Sequence, residues 1–336
     1  MVQVLGCKVN QAEAEAMAKI LEDKGYCVDS DAQDPTLIVL NTCCVTSRAE
    51  AKSRRMAHRL ANKFPNAFLV ITGCLAEINP SSLDTPAGDR ILLGTFEKDH
   101  FADYIDKPVS GSDTIVRRGA SRSTLFGDLA GARTGTRARV FLKVQDGCSQ
   151  GCSYCIVPRA RGPSRSLPLD RAVDCAKAME AAGFAEIVVT GVHLGAYGRD
   201  LSPHLGLEDL LERLLEACPV TRYRLSSIEP QEISPRLIAL MASHPRMCRH
   251  LHIPLQSGDD EILGRMGRPY DTGMILDLVK RVGRQSPETC IGMDVMVGFP
   301  GEDEQSFRKT MALIEEIEPA YLHVFPFSPR PGTSAA

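Results

Sequence analysis

Short, largely apolar runs alternate along this chain with segments whose apolar residues recur every three or four positions. In residues 1–106 the runs are Val2–Leu5, Leu37–Leu40, Phe68–Thr72 and Ile91–Gly94. Between them lie Gln11–Lys24, striped by Ala14, Met17, Ala18 and Leu21, then Thr46–Lys63, and a closing segment Glu97–Ile105. Stripes at helical period predict helices, and continuous apolar runs predict strands buried on both faces. Their alternation predicts a Rossmann-like parallel α/β domain covered on each side.

From Val140 the alternation resumes for six rounds. The predicted strands are Val140–Val144, Glu186–Thr190, Arg222–Ser226, His250–Ile253, Ile291–Val297 and Tyr321–Phe325. Helices are predicted near Leu169–Ala182, Glu208–Ala217, Pro235–Ser243, Asp271–Gln285 and Glu302–Glu316. Six units are too few for a closed eight-unit barrel, so residues 140–336 are expected to form an open, partial (β/α)6 barrel. Its working residues belong after the carboxyl ends of its strands. Between the two regions, residues 107–139 lose all period. Lys107, Arg117, Arg118, Arg122, Arg133, Arg137 and Arg139 there face only Asp113 and Asp128, which reads as a basic linker.

The formal charge of -3 does not mark a general nucleic-acid binder, so any such role rests on local patches. One candidate is the second helix, where Arg48, Lys52, Arg55 and Arg59 form a single basic stripe; it suits a phosphate backbone or a plain solvated face. With no Trp and 5% aromatics, a broad base-stacking platform is not expected. No secretory segment and no membrane-spanning run occurs, so the expected location is cytoplasmic, with no membrane partner. Twelve cysteines in a reducing compartment point to metal rather than disulfides.

Six of those cysteines fall into two sets. Cys148, Cys152 and Cys155 stand at C-x3-C-x2-C spacing just after the first barrel strand. Three thiolates can hold three irons of a cubane and leave the fourth open, whereas ferredoxin clusters take four cysteines. A zinc site with a fourth ligand elsewhere is the alternative, although no second C-x2-C pair is present. Cys7, Cys43 and Cys74 each follow one of the first three strands, and so share the carboxyl edge of a parallel sheet. Three at one edge suggest a second metal site; the alternative is that they are small buried hydrophobes, the reading given to Cys44.

The motifs LGCKVNQAEAE, NTCCVTSRAEAKSR and ITGCLAE resemble the three cysteine motifs of the amino-terminal domain of the radical S-adenosylmethionine (SAM) methylthiotransferases. VQDGCSQGCSYCIVPRARGPSRS resembles their radical SAM loop, and HIPLQSGDDEILGRMGRPY and DVMVGFPGEDEQSF their later barrel motifs. LGCKVN in place of a Gln-Met-Asn form, with VTGVHLGAYGRDL and RLSSIEP, is most similar to the type that modifies threonylcarbamoyladenosine in tRNA. Sister types act on isopentenyladenosine in tRNA or on a ribosomal-protein aspartate. A reading outside the family is a non-catalytic metal-binding RNA adaptor.

The resemblance implies two [4Fe-4S] clusters, one on Cys148, Cys152 and Cys155 that cleaves SAM, and an auxiliary one on Cys7, Cys43 and Cys74 that carries the donated sulfur. One SAM would methylate that sulfur and a second would supply the radical that takes hydrogen from C2 of adenine. The implied partners are tRNA, an electron donor and a sulfur source. Tyr154, Gly191, Glu229 and Gln256 are the expected SAM contacts, Glu229 having a plain surface or helix-capping carboxylate as its alternative. Arg159 and Arg161, with Arg165 behind them, are expected to meet phosphate or to form barrel-edge salt bridges. His193 and His252 read as structural, and no catalytic side chain is nominated beyond the clusters. Members of that family normally continue into a small all-β RNA-binding TRAM domain; this sequence ends at Ala336 after FSPRPGTSAA, and the expectation is either a fragment without that domain or RNA affinity supplied by the other two.

Overall fold

The computed structural model describes residues 1–85, 89–105, 115–117 and 138–336. The first region begins with β1 (Val2–Val4), α1 (Lys8–Asp23), β2 (Leu37–Thr42), α2 (Ser47–Lys63) and β3 (Phe68–Gly73). It continues with α3 (Cys74–Ile78), β4 (Arg90–Leu93), α4 (Phe101–Ile105) and β5 (Ile115–Arg117). The five strands form one sheet in the order β1-β2-β3-β4-β5, every pair parallel. Alternation along the strands gives each face its own core. Ile38, Leu40, Ile71 and Leu92 pack on Ala57 and Leu60 of α2, whereas Val39, Val70 and Ile91 pack on Met17 and Leu21 of α1.

Two expectations change here. The closing segment is not one helix: Glu97–His100 forms a tighter 3-10 turn before α4, and carries Lys98 inward to meet Glu13 at 2.7 Å. The 107–139 segment lies mostly outside the described residues, including Lys107, Arg118, Arg122, Arg133 and Arg137. Three of its residues, Ile115–Arg117, extend the first sheet as β5 beside β4.

The second region opens with β6 (Arg139–Lys143), β7 (Gln145–Asp146), α5 (Val157–Arg161) and β8 (Arg165–Ser166), where β7 and β8 pair antiparallel. Then follow α6 (Leu169–Ala181), β9 (Glu186–Thr190), α7 (Leu207–Ala217), β10 (Arg222–Leu225) and α8 (Pro235–Ser243). The last elements are β11 (His250–Gln256), α9 (Asp260–Met266), α10 (Thr272–Gln285), β12 (Cys290–Val297), α11 (Glu304–Ile317) and β13 (Tyr321–Pro326). The six long strands are parallel and fall into two sheets, β10-β9-β6 and β11-β12-β13. Bridges at Ser227–His252 and Tyr223–Met247 join them across the β10–β11 seam. Leu142, Val189, Leu225, Ile253 and Met293 face the surrounding helices in one continuous core, which leaves the alternate residues to line the interior. The short α9 escaped periodicity; its signal was Asp259, whose carboxylate accepts from the Glu261 and Ile262 amides.

A buried ionic group joins the two regions. Arg161, at the end of α5, donates to Glu13 of α1 at 2.9 Å, to Asp146 at 2.8 Å and to the Asn10 amide oxygen at 2.6 Å. Lys143 meets both carboxylates, Lys98 meets Glu13 and Arg165 meets Asp146, all essentially shut off from solvent. Burial alone would raise the pKa of Glu13, but Arg161, Lys98 and Lys143 together hold it well below the usual carboxylate range. Asp146 is held down in the same way, by Arg161, Lys143 and Arg165.

Removing one partner of a buried pair strands the others. Glu13→Gln is expected to cost about 3–5 kcal/mol, read as a lower denaturant midpoint at unchanged slope. Because both carboxyls are depressed, their contribution is full above the ordinary carboxylate pKa of about 4.3 and is lost as pH falls below it. Wild-type stability therefore drops more steeply on acidification than that of the Gln variant.

Candidate functional site: two cysteine sets and a polar barrel rim

The turn after β1 and the turn after β2 bring Cys7 and Cys43 together. Gly6 has φ +105, and a Cβ there would lie 2.7 Å from the Cys43 Cβ and 2.9 Å from its sulfur, so only glycine lets the two turns close up. Ser53 of α2 clamps Cys43 by accepting from its amide at 3.1 Å and donating to its carbonyl at 2.9 Å. Cys74 opens α3 at the end of β3 and lies within electrostatic reach of both other cysteines. Burial pushes Cys43 up to about 12, with Cys74 adding to it, so a nearby cation such as a coordinated metal would be needed to hold this sulfur as a thiolate. Cys44 is fully buried, in keeping with packing, and Cys27 is exposed.

Cys148, Cys152 and Cys155 sit on the loop between β7 and α5. The Gln150 amide points at the Cys148 sulfur at 3.4 Å, and the His193 Nδ1 is 3.8 Å from the same atom. Arg268, after α9, is a residue that sequence reasoning passed over. It donates to the Cys152 sulfur at 3.2 Å, to Glu229 at 2.7 Å and to the Tyr270 hydroxyl at 2.7 Å. Its charge favours a thiolate at Cys152 against the burial that raises that thiol. Glu229 is thus neither a bare surface carboxylate nor a free one, but the partner of the guanidinium that steadies the loop.

Three thiols within one loop suit the irons of a cubane. A single zinc would need its sulfurs about 3.8 Å apart. Among the described residues the only three-ligand group within 4.8 Å is His252, Asp294 and His323, so neither cysteine set is drawn in around one ion. The neighbouring rim offers polar atoms without partners. Thr190 Oγ1 ends β9, Ser226 Oγ follows β10, and Gln256 Oε1 ends β11, all buried and unsatisfied within the protein. Orphaned buried groups in a row at the carboxyl edge fit a polar cofactor lying across it. Gln256 also adopts φ +64, which turns the chain sharply at that rim. Gly191 lies against Gln145, whose side-chain oxygen accepts from the His193 amide at 2.7 Å while its nitrogen donates to the Gly147 carbonyl at 2.8 Å. Tyr154 packs edge-on against Phe299 at 6.3 Å.

The expected phosphate contacts divide. Arg48, Lys52, Arg55 and Arg59 are all exposed along α2, and none is ion-paired among the described residues. Arg161 is a correction: it is 1% exposed and spent on Glu13, Asp146 and Asn10, so it cannot reach RNA. Arg165 likewise serves the internal salt bridge. Arg159 is exposed, yet its guanidinium donates to the Pro331 carbonyl at 2.7 Å. That bond holds it to the tail after β13, which also ties down α2 and the cysteine loop: Ser328 accepts from the Ser47 amide at 2.9 Å, Arg330 pairs with Glu50, and the Ala335 amide donates to the Ser153 carbonyl at 2.9 Å.

A sheet domain with three edge cysteines, joined to a partial barrel with a three-cysteine loop, defines a radical SAM protein with a second candidate metal site. The sequence profile described as "Uncharacterized protein family UPF0004" matches residues 1–94, and that of the radical SAM superfamily matches residues 142–314. The threonylcarbamoyladenosine tRNA methylthiotransferase MtaB of Thermotoga maritima is 38% identical over all of this chain and 76% of its own length. The Bacillus subtilis MtaB is 35% identical over 99% of this chain and 74% of its own. A tRNA-2-methylthio-N(6)-dimethylallyladenosine synthase of Clostridium botulinum is 30% identical over all of this chain and 76% of its own. The chain belongs to the radical SAM methylthiotransferase family. Its fold is shared with the radical SAM methyltransferase TsrM of Kitasatospora setae, with a TM-score of 0.66 and 16% identity over 96% of this chain and 72% of that one.

Gly6→Val drives a side chain into Cys43. Anaerobic reconstitution followed by iron and sulfide analysis is expected to give about half the wild-type content, as one of two cubanes is lost. Cys152→Ala loses the complementary half, and the double variant holds almost none.

Proposed function

We propose that this chain is a tRNA methylthiotransferase that installs a methylthio group at C2 of N6-threonylcarbamoyladenosine beside the anticodon. The observation that carries the substrate is the gradient of likeness: 32–38% identity to threonylcarbamoyladenosine enzymes across 99–100% of the chain, against 29–30% for dimethylallyladenosine enzymes. The enzyme uses SAM and two [4Fe-4S] clusters. In this reading Cys148, Cys152 and Cys155 hold the cluster that binds SAM, and Cys7, Cys43 and Cys74 hold the one that carries sulfur. Together the bound clusters and SAM supply radical generation and sulfur donation.

The protein's own residues do the rest. Arg268 fixes the Cys152 side of the loop and aims Glu229 toward the rim. Thr190, Ser226 and Gln256 offer hydrogen-bonding atoms to SAM, beside Gly191 and Tyr154. A shared cavity between the cysteine sets is supported from two directions. Arg161, six residues after Cys155, lies close enough to influence Cys43 and Cys74. Lys8, directly after Cys7, lies within electrostatic reach of Asp294, Arg139 and Arg224 on three barrel strands. The α2 stripe, starting at Arg48 just after the Cys43 turn, guides the phosphate backbone toward that cavity. Reductive cleavage calls for an electron donor, and repeated turnover calls for a sulfur source, both acting in the cytoplasm.

Nucleoside mass spectrometry of tRNA from cells with and without the gene tests the substrate: 2-methylthio-threonylcarbamoyladenosine disappears on deletion and returns with the wild-type chain. If that nucleoside persists while the dimethylallyl derivative disappears, the substrate assignment is wrong. Arg268→Met is expected to lower SAM cleavage at least tenfold, about 1.4 kcal/mol in the barrier, with the auxiliary cluster retained. Replacing Lys52 and Arg55 by Gln weakens tRNA binding and reduces the slope of log affinity against log salt by about one to two units.

A further inference from the structure

The interior face of β11, β12 and β13 carries a polar cluster that the methylthiotransferase chemistry leaves unused. His250 and His252 alternate with the core residues Leu251 and Ile253 on β11, and Asp294 lies between Met293 and Val295 on β12. Asp294 pairs in register with His323 on β13. The Asp294 Oδ1 is 2.9 Å from His252 Nε2 and 3.2 Å from His323 Nδ1, and the three ligand atoms all lie within 4.8 Å of one another. Bonds of about 2.0–2.2 Å from nitrogen and oxygen to a metal put tetrahedral ligand atoms about 3–3.5 Å apart. Two of the three ligand–ligand distances thus already suit a single ion and the third is within 4.8 Å, a closeness that neither cysteine set reaches among the described residues.

The surroundings fit the same purpose. A metal-bound imidazole keeps its orientation by a hydrogen bond from its other nitrogen. His252 Nδ1 is 3.1 Å from the Tyr321 hydroxyl, which is in turn 2.8 Å from His250 Nε2. Tyr321 reaches both histidines because its ring crosses over Gly292, where any Cβ would come within 2.0 Å of it. The far nitrogen of His250 has no partner, so the chain His252–Tyr321–His250 can reverse its hydrogen-bond direction without moving a heavy atom. Reversal frees His252 Nε2 as a lone-pair donor while its Nδ1–H donates to Tyr321. His323, with 64% of its side chain exposed, leaves one side of the triad open.

We propose that His252 Nε2, Asp294 Oδ1 and His323 Nδ1 bind a divalent transition-metal ion, distinct from both cysteine sites, with coordination positions left open to water or a ligand carboxylate. Two imidazoles and one carboxylate, with no thiolate, select zinc(II) or iron(II) rather than copper(I) or a cluster. His252, structural on the sequence reading, is then a ligand held in place by three adjacent strands.

Zinc(II) is the probe, because it is distinguishable from cluster iron. Full-length protein with both clusters loaded is equilibrated with buffered zinc, desalted anaerobically and analysed for zinc and iron together. One zinc per chain is expected beyond the clusters. His323→Ala, at an exposed position, and Asp294→Asn should each weaken zinc binding at least 100-fold with unchanged iron. Tyr321→Phe, which removes only the supporting hydroxyl, should weaken it about 10–100-fold. Wild-type protein that takes up no zinc, or variants that take up as much as wild type, would show the triad to be a hydrogen-bonded cluster only. The measurement uses neither tRNA nor SAM, so its result stands apart from the substrate assignment.

Discussion

Four cations gathered on two carboxylates in a space closed to water set the geometry of everything else in this protein. Glu13 comes from the first helix of the sheet domain, Asp146 from the strand leading into the cysteine loop, and Arg161 from the helix leaving it. Buried charges are expensive unless every one is matched, so the two domains have few ways to dock other than the one in which these partners meet. The Asn10 amide adds direction, since it donates to the Leu5 and Thr42 carbonyls while accepting from Arg161. Those carbonyls flank the turns that bear Cys7 and Cys43. The same contacts that join the domains thereby tie the turns bearing Cys7 and Cys43 to the strand and the helix that flank the 148–155 loop.

Both candidate cluster sites are built mostly of backbone turns at strand ends, and the side chains around them stiffen those turns. Ser53 holds the Cys43 peptide, Gln145 joins the start of the cysteine loop to the turn after β9, and Arg268 joins its middle to Glu229. Each is a short, directional constraint on a thiol-bearing segment. A cluster held by only three protein ligands leaves an iron for exchangeable ligands, so the protein must supply rigidity from outside the coordination sphere.

Much of this was legible in the residue order because it is local or topological. The C-x3-C-x2-C spacing is a property of eight consecutive residues, and the edge placement of Cys7, Cys43 and Cys74 follows from each standing after a parallel strand. Both families of strands appeared as apolar runs, with ends displaced by a residue or a few. Arg161 shows the limit. In the string RARGPSR it is indistinguishable from a phosphate-binding arginine, and its fate depends on Glu13, 148 residues away, which becomes visible only when the domains dock. Arg268 was hidden for a similar reason, its partners being a cysteine 116 and a glutamate 39 residues distant. The histidine cluster did leave a trace: polar residues at alternate positions in His250–His252 and Tyr321–His323 mark an inward face within otherwise apolar strands.

The tail after β13 has a mechanical consequence. Its first half grips the amino end of α2 through Ser328 and Arg330, and its last residues hydrogen-bond Ser153, which lies between two cysteines of the loop. The basic helix and the three-cysteine loop are thus tethered to the same few residues, so displacing either one pulls on contacts of the other. On the proposed reading, the surface that receives the polyanion and the loop that seats the cluster share one short stretch of chain.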